Sequence, residues 1–93
     1  MDPSPTTPAP AGAPVPLAAG RHLGDLTRAG VTWQVHVETR PQGQLTAGRI
    51  HFVAPHTARA TGWIFLEWSD QDVLYRFHEF SPIELWKLLE SLE

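Results

Sequence analysis

Apolar and polar residues alternate from Val31 to Glu38, and the polar residues Thr39 and Arg40 complete the run. This period of two residues is typical of a β-strand with one face in the core and the other toward solvent. We therefore predict a half-buried strand over this run. The apolar parity holds Val31, Trp33, Val35 and Val37, and the polar parity holds Gln34, His36, Glu38 and Arg40.

A second strand is predicted from Leu45 to Ala54, after turn residues 41–44. The register of two such strands is fixed by keeping their apolar side chains on one face. With a four-residue loop, this rule pairs Val35 with Ile50 and His36 with Arg49. The pair forms a hairpin with one apolar and one polar face.

Residues 62–68 and 73–80 predict another hairpin, closed by a turn over 69–72. One face of this predicted hairpin is uniformly apolar, while the other carries Trp63 and Phe65. A sheet that faces water on one side is not expected to expose such rings. We therefore expect a partner to cover them, or else residues 21–30 or 17–19 of the same chain.

A C-terminal helix is predicted from Pro82 to Glu93. Ser81 and Glu84 have the spacing of a capping box, and Pro82 suits the first helical position. The apolar stripe of this helix contains Leu85, Leu88, Leu89 and Leu92.

These elements predict an α+β domain over residues 18–93: an antiparallel meander of four to five strands, with one C-terminal helix packed on one face. Residues 21–30 fit either an edge strand or one to two helical turns. Residues 1–17 contain six of the nine prolines and no apolar periodicity, which predicts a disordered Pro-rich tail.

The chain has no cysteine and no apolar run of membrane-spanning length. We therefore expect no disulfide, no membrane segment and a cytoplasmic location. Formal charge is unevenly distributed, at +3 over residues 21–59 and −5 over residues 60–93, within a net charge of −3. Halves of opposite sign favour self-association or internal pairing over nucleic-acid binding.

Sequence motifs for catalysis or metal binding are weak. His36, His51, His78 and Glu38 fall on the predicted polar face without a metal-ligand spacing, so we predict no metal and no cofactor. Ser81 is better explained as a helix cap than as a nucleophile. The chain is predicted not to be an enzyme.

Single-stranded nucleic-acid binding is the alternative function. Trp63 and Phe65 beside a set of cations would offer stacking rings and phosphate contacts. A curved antiparallel sheet followed by a capped helix also resembles the layout of the PC4-type coactivator fold. That resemblance implies a single-strand-binding role through the sheet. The cations in question are Arg49, Arg59, Arg76 and His78.

The main functional prediction is a non-enzymatic protein–protein interaction module, possibly a homodimer. Aromatic side chains rimmed by arginine match the composition of protein interfaces. The candidate interface residues are Trp63, Phe65, Arg76 and His78.

Overall fold

The computed structural model describes residues 20–92 and confirms an α+β domain with an antiparallel sheet. The predicted disordered tail lies outside these residues. Two helices follow the sheet, so the prediction of a single helix was wrong. The elements are β1 (Arg21–Arg28), β2 (Val31–Gln42), β3 (Leu45–Ala54), β4 (Thr57–Ala60), β5 (Phe65–Glu67), α1 (Asp70–Phe77) and α2 (Pro82–Ser91).

The sheet is a meander in the order β1-β2-β3-β4, and β5 also pairs with β3. The segment that fitted either a strand or a helix is strand β1, with a bulge between His22 and Gly24. Strands β4 and β5 lie end to end on the same side of β3, at residues 51–54 and 46–48. Strand β5 is therefore a short strand at the edge of the sheet.

The register of β2 against β3 differs from the predicted one because the connecting loop has two residues, not four. Gln42 pairs directly with Leu45, and the turn places Gly43 at φ 61°. Glycine reaches this left-handed conformation without a Cβ penalty. Since the register moves by two residues, each side chain stays on the predicted face. His36 consequently pairs with His51 instead of Arg49.

The hydrophobic core lies between both helices and one face of the sheet, which we call the helix face. Its side chains come from the predicted apolar parity of β2 and β3, together with α1 and α2. Ile50, Phe52 and Val73 are completely buried there. The remaining core residues are Leu26, Trp33, Val35, Val37, Ala54, Phe65, Phe77, Leu85 and Leu89. We call the opposite side of the sheet the second face.

Residues 70–77 form helix α1, so the strand predicted over 73–80 was wrong. Ser69 caps the helix by accepting a hydrogen bond from the Asp72 N–H at 3.1 Å. Val73 and Phe77 are four residues apart, which places both on the buried side of the helix. Their tertiary packing therefore prevails over the β-propensity of the segment.

Helix α2 confirms the predicted capping box. The Glu84 N–H donates to Ser81 Oγ at 3.2 Å, and the Ser81 N–H donates to Glu84 Oε1 at 2.8 Å. Hydrogen bonds to the Glu84 carboxylate from Ser81, its backbone N–H foremost and then its side chain, lower the pKa of Glu84, because they favour the ionised form. Near the other end of α2, Glu90 accepts a hydrogen bond from Arg28 of β1 at 3.1 Å. Helix α2 thus crosses the sheet toward β1.

Candidate functional site

Strand β5 presents its side chains with the opposite parity to the predicted one. Phe65 is 7% exposed and meets the Phe80 ring edge-on, with ring centroids 6.2 Å apart. Ile64, Leu66 and Trp68 are instead exposed at 49%, 53% and 75%. The predicted surface position of Phe65 was therefore wrong. A one-residue change of parity exchanges every core and surface side chain of a strand.

Trp63, the first predicted interface residue, is half-buried within its own subunit. The guanidinium groups of Arg40 and Arg49 lie over its indole ring, 4.1 and 4.4 Å from the ring centroid. Cations at this distance are attracted by the negative potential of the ring face. These contacts occupy part of the stacking surface that the nucleic-acid alternative assigns to Trp63.

Arg76 and His78 are both exposed near the end of α1. Arg76 forms ion pairs with Glu67 and Glu79, each at 3.4 Å. The nearby carboxylates, Glu67 foremost, raise the pKa of Arg76. His78 follows the last turn of α1, and its ring lies edge-on to Phe77. The four predicted residues therefore do not form one patch.

A groove of about 450 Å³ runs beside β5 and does bring two of the predicted residues, Phe65 and Arg76, together. Its apolar lining consists of Ile64 and Phe65, at and just before the start of β5, and Phe80, before α2. Three carboxylates and one guanidinium complete the lining. The groove residues are Ile64, Phe65, Glu67, Arg76, Glu79, Phe80 and Glu84.

The outer edge of β5 is free in the part of the chain that the structure describes. Strand β5 pairs with β3 along one edge, and no backbone hydrogen bond joins its other edge to residues 20–92. An edge of this kind presents unpaired N–H and C=O groups to which another strand can bind. We call Ile64, Leu66 and Trp68 the edge stripe. Leu66 is the middle residue of β5, Ile64 and Trp68 flank the strand, and all three are apolar and exposed.

A second cluster lies on the second face, where His36 and His51 are directly opposite each other on β2 and β3. Both side chains are buried, at 3% and 4% exposure. His51 Nε2 donates to Glu38 Oε1 at 2.6 Å, and Arg49 Nε donates to the same oxygen at 2.8 Å. The His22 ring stacks on His36 with centroids 5.0 Å apart.

The histidine pair is incompletely hydrogen-bonded. His36 Nε2 donates to Gln34 Oε1 at 3.1 Å. Neither His36 Nδ1 nor His51 Nδ1 has a hydrogen-bond partner among the described residues. In residues 20–92, no group of three or more His, Cys, Asp or Glu side chains is arranged to hold a metal ion. The sequence offers one signal for this pair, the two histidines on the polar parity of adjacent strands.

Burial lowers the pKa of His36, and the nearby His22 ring lowers it further. The Gly20 backbone instead raises the pKa of His36, but it does not outweigh these two effects. For Glu38, burial alone would raise the pKa, but the hydrogen bonds from His51 and Arg49 outweigh it. The pKa of Glu38 therefore lies below its ordinary value of 4.5.

These shifts predict a loss of stability in acid that proceeds in two stages. The unfolded chain binds a proton at His36 more readily than the folded chain does. The free energy of unfolding should therefore fall as the pH drops below 6.5, until the lower folded pKa of His36 is passed. Glu38 stabilises the fold above pH 4.5, and this contribution is lost as the pH falls through its lower folded pKa.

Urea unfolding of the wild type and of His36→Gln across this pH range measures the first stage. We expect His36→Gln to flatten the profile above the Glu38 stage. The matched control is His56→Gln, since His56 is an exposed residue of the β3–β4 turn and its replacement should leave the profile unchanged. A wild-type profile that is level between neutral pH and pH 5 would contradict the prediction.

None of the helices within residues 20–92 is both long and apolar enough to cross a membrane. Comparison of the chain with protein-family models, with curated proteins and with solved structures finds no match. The candidate site therefore rests on its own geometry, which joins an open strand edge, the edge stripe and the adjoining groove.

Proposed function

We propose that this domain is a non-enzymatic protein-interaction module, which binds an extended segment of a protein along the free edge of β5. One observation carries the proposal: Leu66 of β5 and the flanking residues Ile64 and Trp68 are exposed at alternate positions beside an unpaired strand edge. Strand addition uses both features, because backbone hydrogen bonds provide affinity and alternate side chains provide specificity.

The chemistry of the edge defines the segment that it would accept. A strand added to β5 places every second side chain on the same face as the edge stripe. Apolar residues at those positions would bury the three exposed side chains. Complete burial of one such side chain is worth about 1.5–3 kcal/mol. The proposed ligand is therefore an extended segment with apolar residues at alternate positions.

Strand addition is better supported than single-strand nucleic-acid binding. The alternative assigns base stacking to Trp63 and Phe65, but Phe65 is in the core and Arg40 and Arg49 lie over the Trp63 ring. It also needs a cationic path for phosphates, whereas the groove beside β5 has three carboxylates. The resemblance to the PC4-type fold assumed one helix after the sheet, and this chain has two.

The proposal is tested with a displayed library of short linear peptides, selected on the immobilised domain. Selected peptides should carry alternating apolar residues, and their binding should shift the backbone amide resonances of Phe65–Glu67. Leu66→Lys should lower the affinity for these peptides by at least about tenfold, which corresponds to about 1.4 kcal/mol of binding free energy.

Val31→Lys is the matched control, since Val31 is a similarly exposed apolar residue at 42% but lies at the start of β2. It should bind the peptides as the wild type does. Selection of no peptide, or of peptides that bind Leu66→Lys equally well, would refute the proposal.

A further inference from the structure

We infer that the segment bound at β5 is the β5 strand of a second copy of this chain, paired antiparallel about a two-fold axis at Leu66. This inference rests on the proposed function, since it names the partner for the same edge. It follows from the order of side chains in residues 64–68, from the pairing of nearby charges, and from the free edge that each copy would cover.

The sequence of β5 and its flanking residues is complementary to itself in this register. Leu66 lies opposite Leu66 of the second copy, and each Ile64 lies opposite a Trp68. All three cross-strand pairs of the edge stripe are then apolar. Pairs between an aromatic and a β-branched side chain stabilise antiparallel strands. The stripe of each copy thus supplies the ligand that the other requires.

The neighbouring registers lack this complementarity. A shift by two residues in one direction places Glu67 opposite Glu67 of the second copy, and Ile64 opposite Asp70. Like charges directly opposite each other destabilise a strand pair. A shift in the other direction places Trp68 opposite Gly62, which has no side chain to pack against it. The register centred on Leu66 is therefore favoured.

Charge does not oppose the pairing, although this half of the chain is acidic. In the favoured register Glu67 lies opposite Phe65, and it already forms an ion pair with Arg76. Glu79 shares the same guanidinium group. Glu84 accepts the hydrogen bond from the Ser81 N–H within its capping box. Each groove carboxylate thus has a partner in its own subunit.

A two-fold pairing also covers the β5 edge of both copies at once. The sheets of the two copies join through β5 into one sheet, so the unpaired N–H and C=O groups of each β5 bind those of the other. Because both copies use the same surface, the assembly closes at two subunits and does not extend into a fibre. The expected assembly is therefore a dimer without higher oligomers.

Sedimentation velocity over the micromolar range tests the inference directly. We expect the wild type to change from monomer to dimer as its concentration rises, and added salt not to weaken the dimer, because the contact is apolar. Leu66→Lys and Ile64→Lys should each be monomeric at every concentration. Val31→Lys should dimerise as the wild type does. Circular dichroism establishes that each variant is folded.

Chemical crosslinking tests the position of the axis, and the chain suits it because it contains no cysteine. Leu66→Cys should give a covalent dimer with a short bis-maleimide reagent, because the two thiols meet at the axis. Val31→Cys should not. A mixture of Ile64→Cys and Trp68→Cys should link more efficiently than either variant alone.

A wild type that stays monomeric at all concentrations would overturn this inference, as would a dimer that persists in folded Leu66→Lys. Neither result would decide the proposed function, which the peptide selection tests independently. If peptides bind at Phe65–Glu67 while the chain stays monomeric, the edge takes a foreign strand and the second copy is excluded as its ligand.

Discussion

Ile50→Ala is expected to lower the free energy of unfolding by about 2–5 kcal/mol. Ile50 has no exposed surface, and it lies on the helix face of β3 opposite Val37. Truncation of a fully buried side chain loses its transfer free energy and leaves a cavity that the surrounding core fills only in part. A domain of this size has a total stability of the same order, so the variant should be close to unfolded.

Ile83→Ala provides the matched control, since it removes the same atoms from a residue that is 68% exposed on α2. This substitution should change the free energy of unfolding by no more than about 0.5 kcal/mol. Urea unfolding of both variants at one low protein concentration gives the comparison. Equal losses for the two substitutions would contradict the assignment of the core.

Gly48→Ala should lower the free energy of unfolding by about 1–3 kcal/mol, although it adds only one methyl group. A Cβ at this position would lie 2.5 Å from Val73 Cγ1 and 3.3 Å from Phe65 Cβ. The first distance is well inside van der Waals contact, so the Val73 side chain or the backbone that carries it must shift. The packing of α1 over β3 therefore depends on glycine at position 48, for reasons of space.

A second substitution distinguishes this steric effect from an intrinsic preference of the backbone. Val73→Ala removes the methyl group that a Cβ at position 48 would strike, so the double variant should lose less than the sum of the two single losses. Gly24→Ala is the control, because a Cβ there meets no atom within 4 Å. Strictly additive losses would show that Val73 is not the obstacle.

The sequence patterns predicted β2 and α2 well, because short-range signals determine both elements. Strict alternation identifies the buried face of β2 whatever it pairs with. The capping box at Ser81 and Glu84 identifies the start of α2 from four consecutive residues. The loop between β2 and β3 was less certain, since Pro41 and Gln42 read as turn residues and yet extend the strand.

Helix α1 was missed because its buried residues satisfy two periods at once. Val73 and Phe77 are four positions apart, which fits one face of a strand as well as one face of a helix. Tyr75 between them completes an alternating pattern, yet it is 75% exposed. The signal for the helix is Ser69 followed by Asp72, an N-cap spacing that also fits the predicted turn over residues 69–72.

The error at α1 propagated to the candidate site. Once a strand was expected over 73–80, the apolar parity of residues 64, 66 and 68 was assigned to the core. In the structure α1 packs on the helix face instead, and Phe65 lies against that core. The parity of a three-residue strand is not determined by its own sequence. It depends on which side the following helix covers.

The three hairpin turns of the meander have consequences for the speed of folding. Arg28 pairs with Val31, Gln42 with Leu45 and Ala54 with Thr57, so each connection spans two residues. Contacts between strands this near in sequence require little loop closure, and a low contact order accompanies rapid folding. The domain is thus expected to fold faster than a sheet of the same size whose strands are joined by long connections.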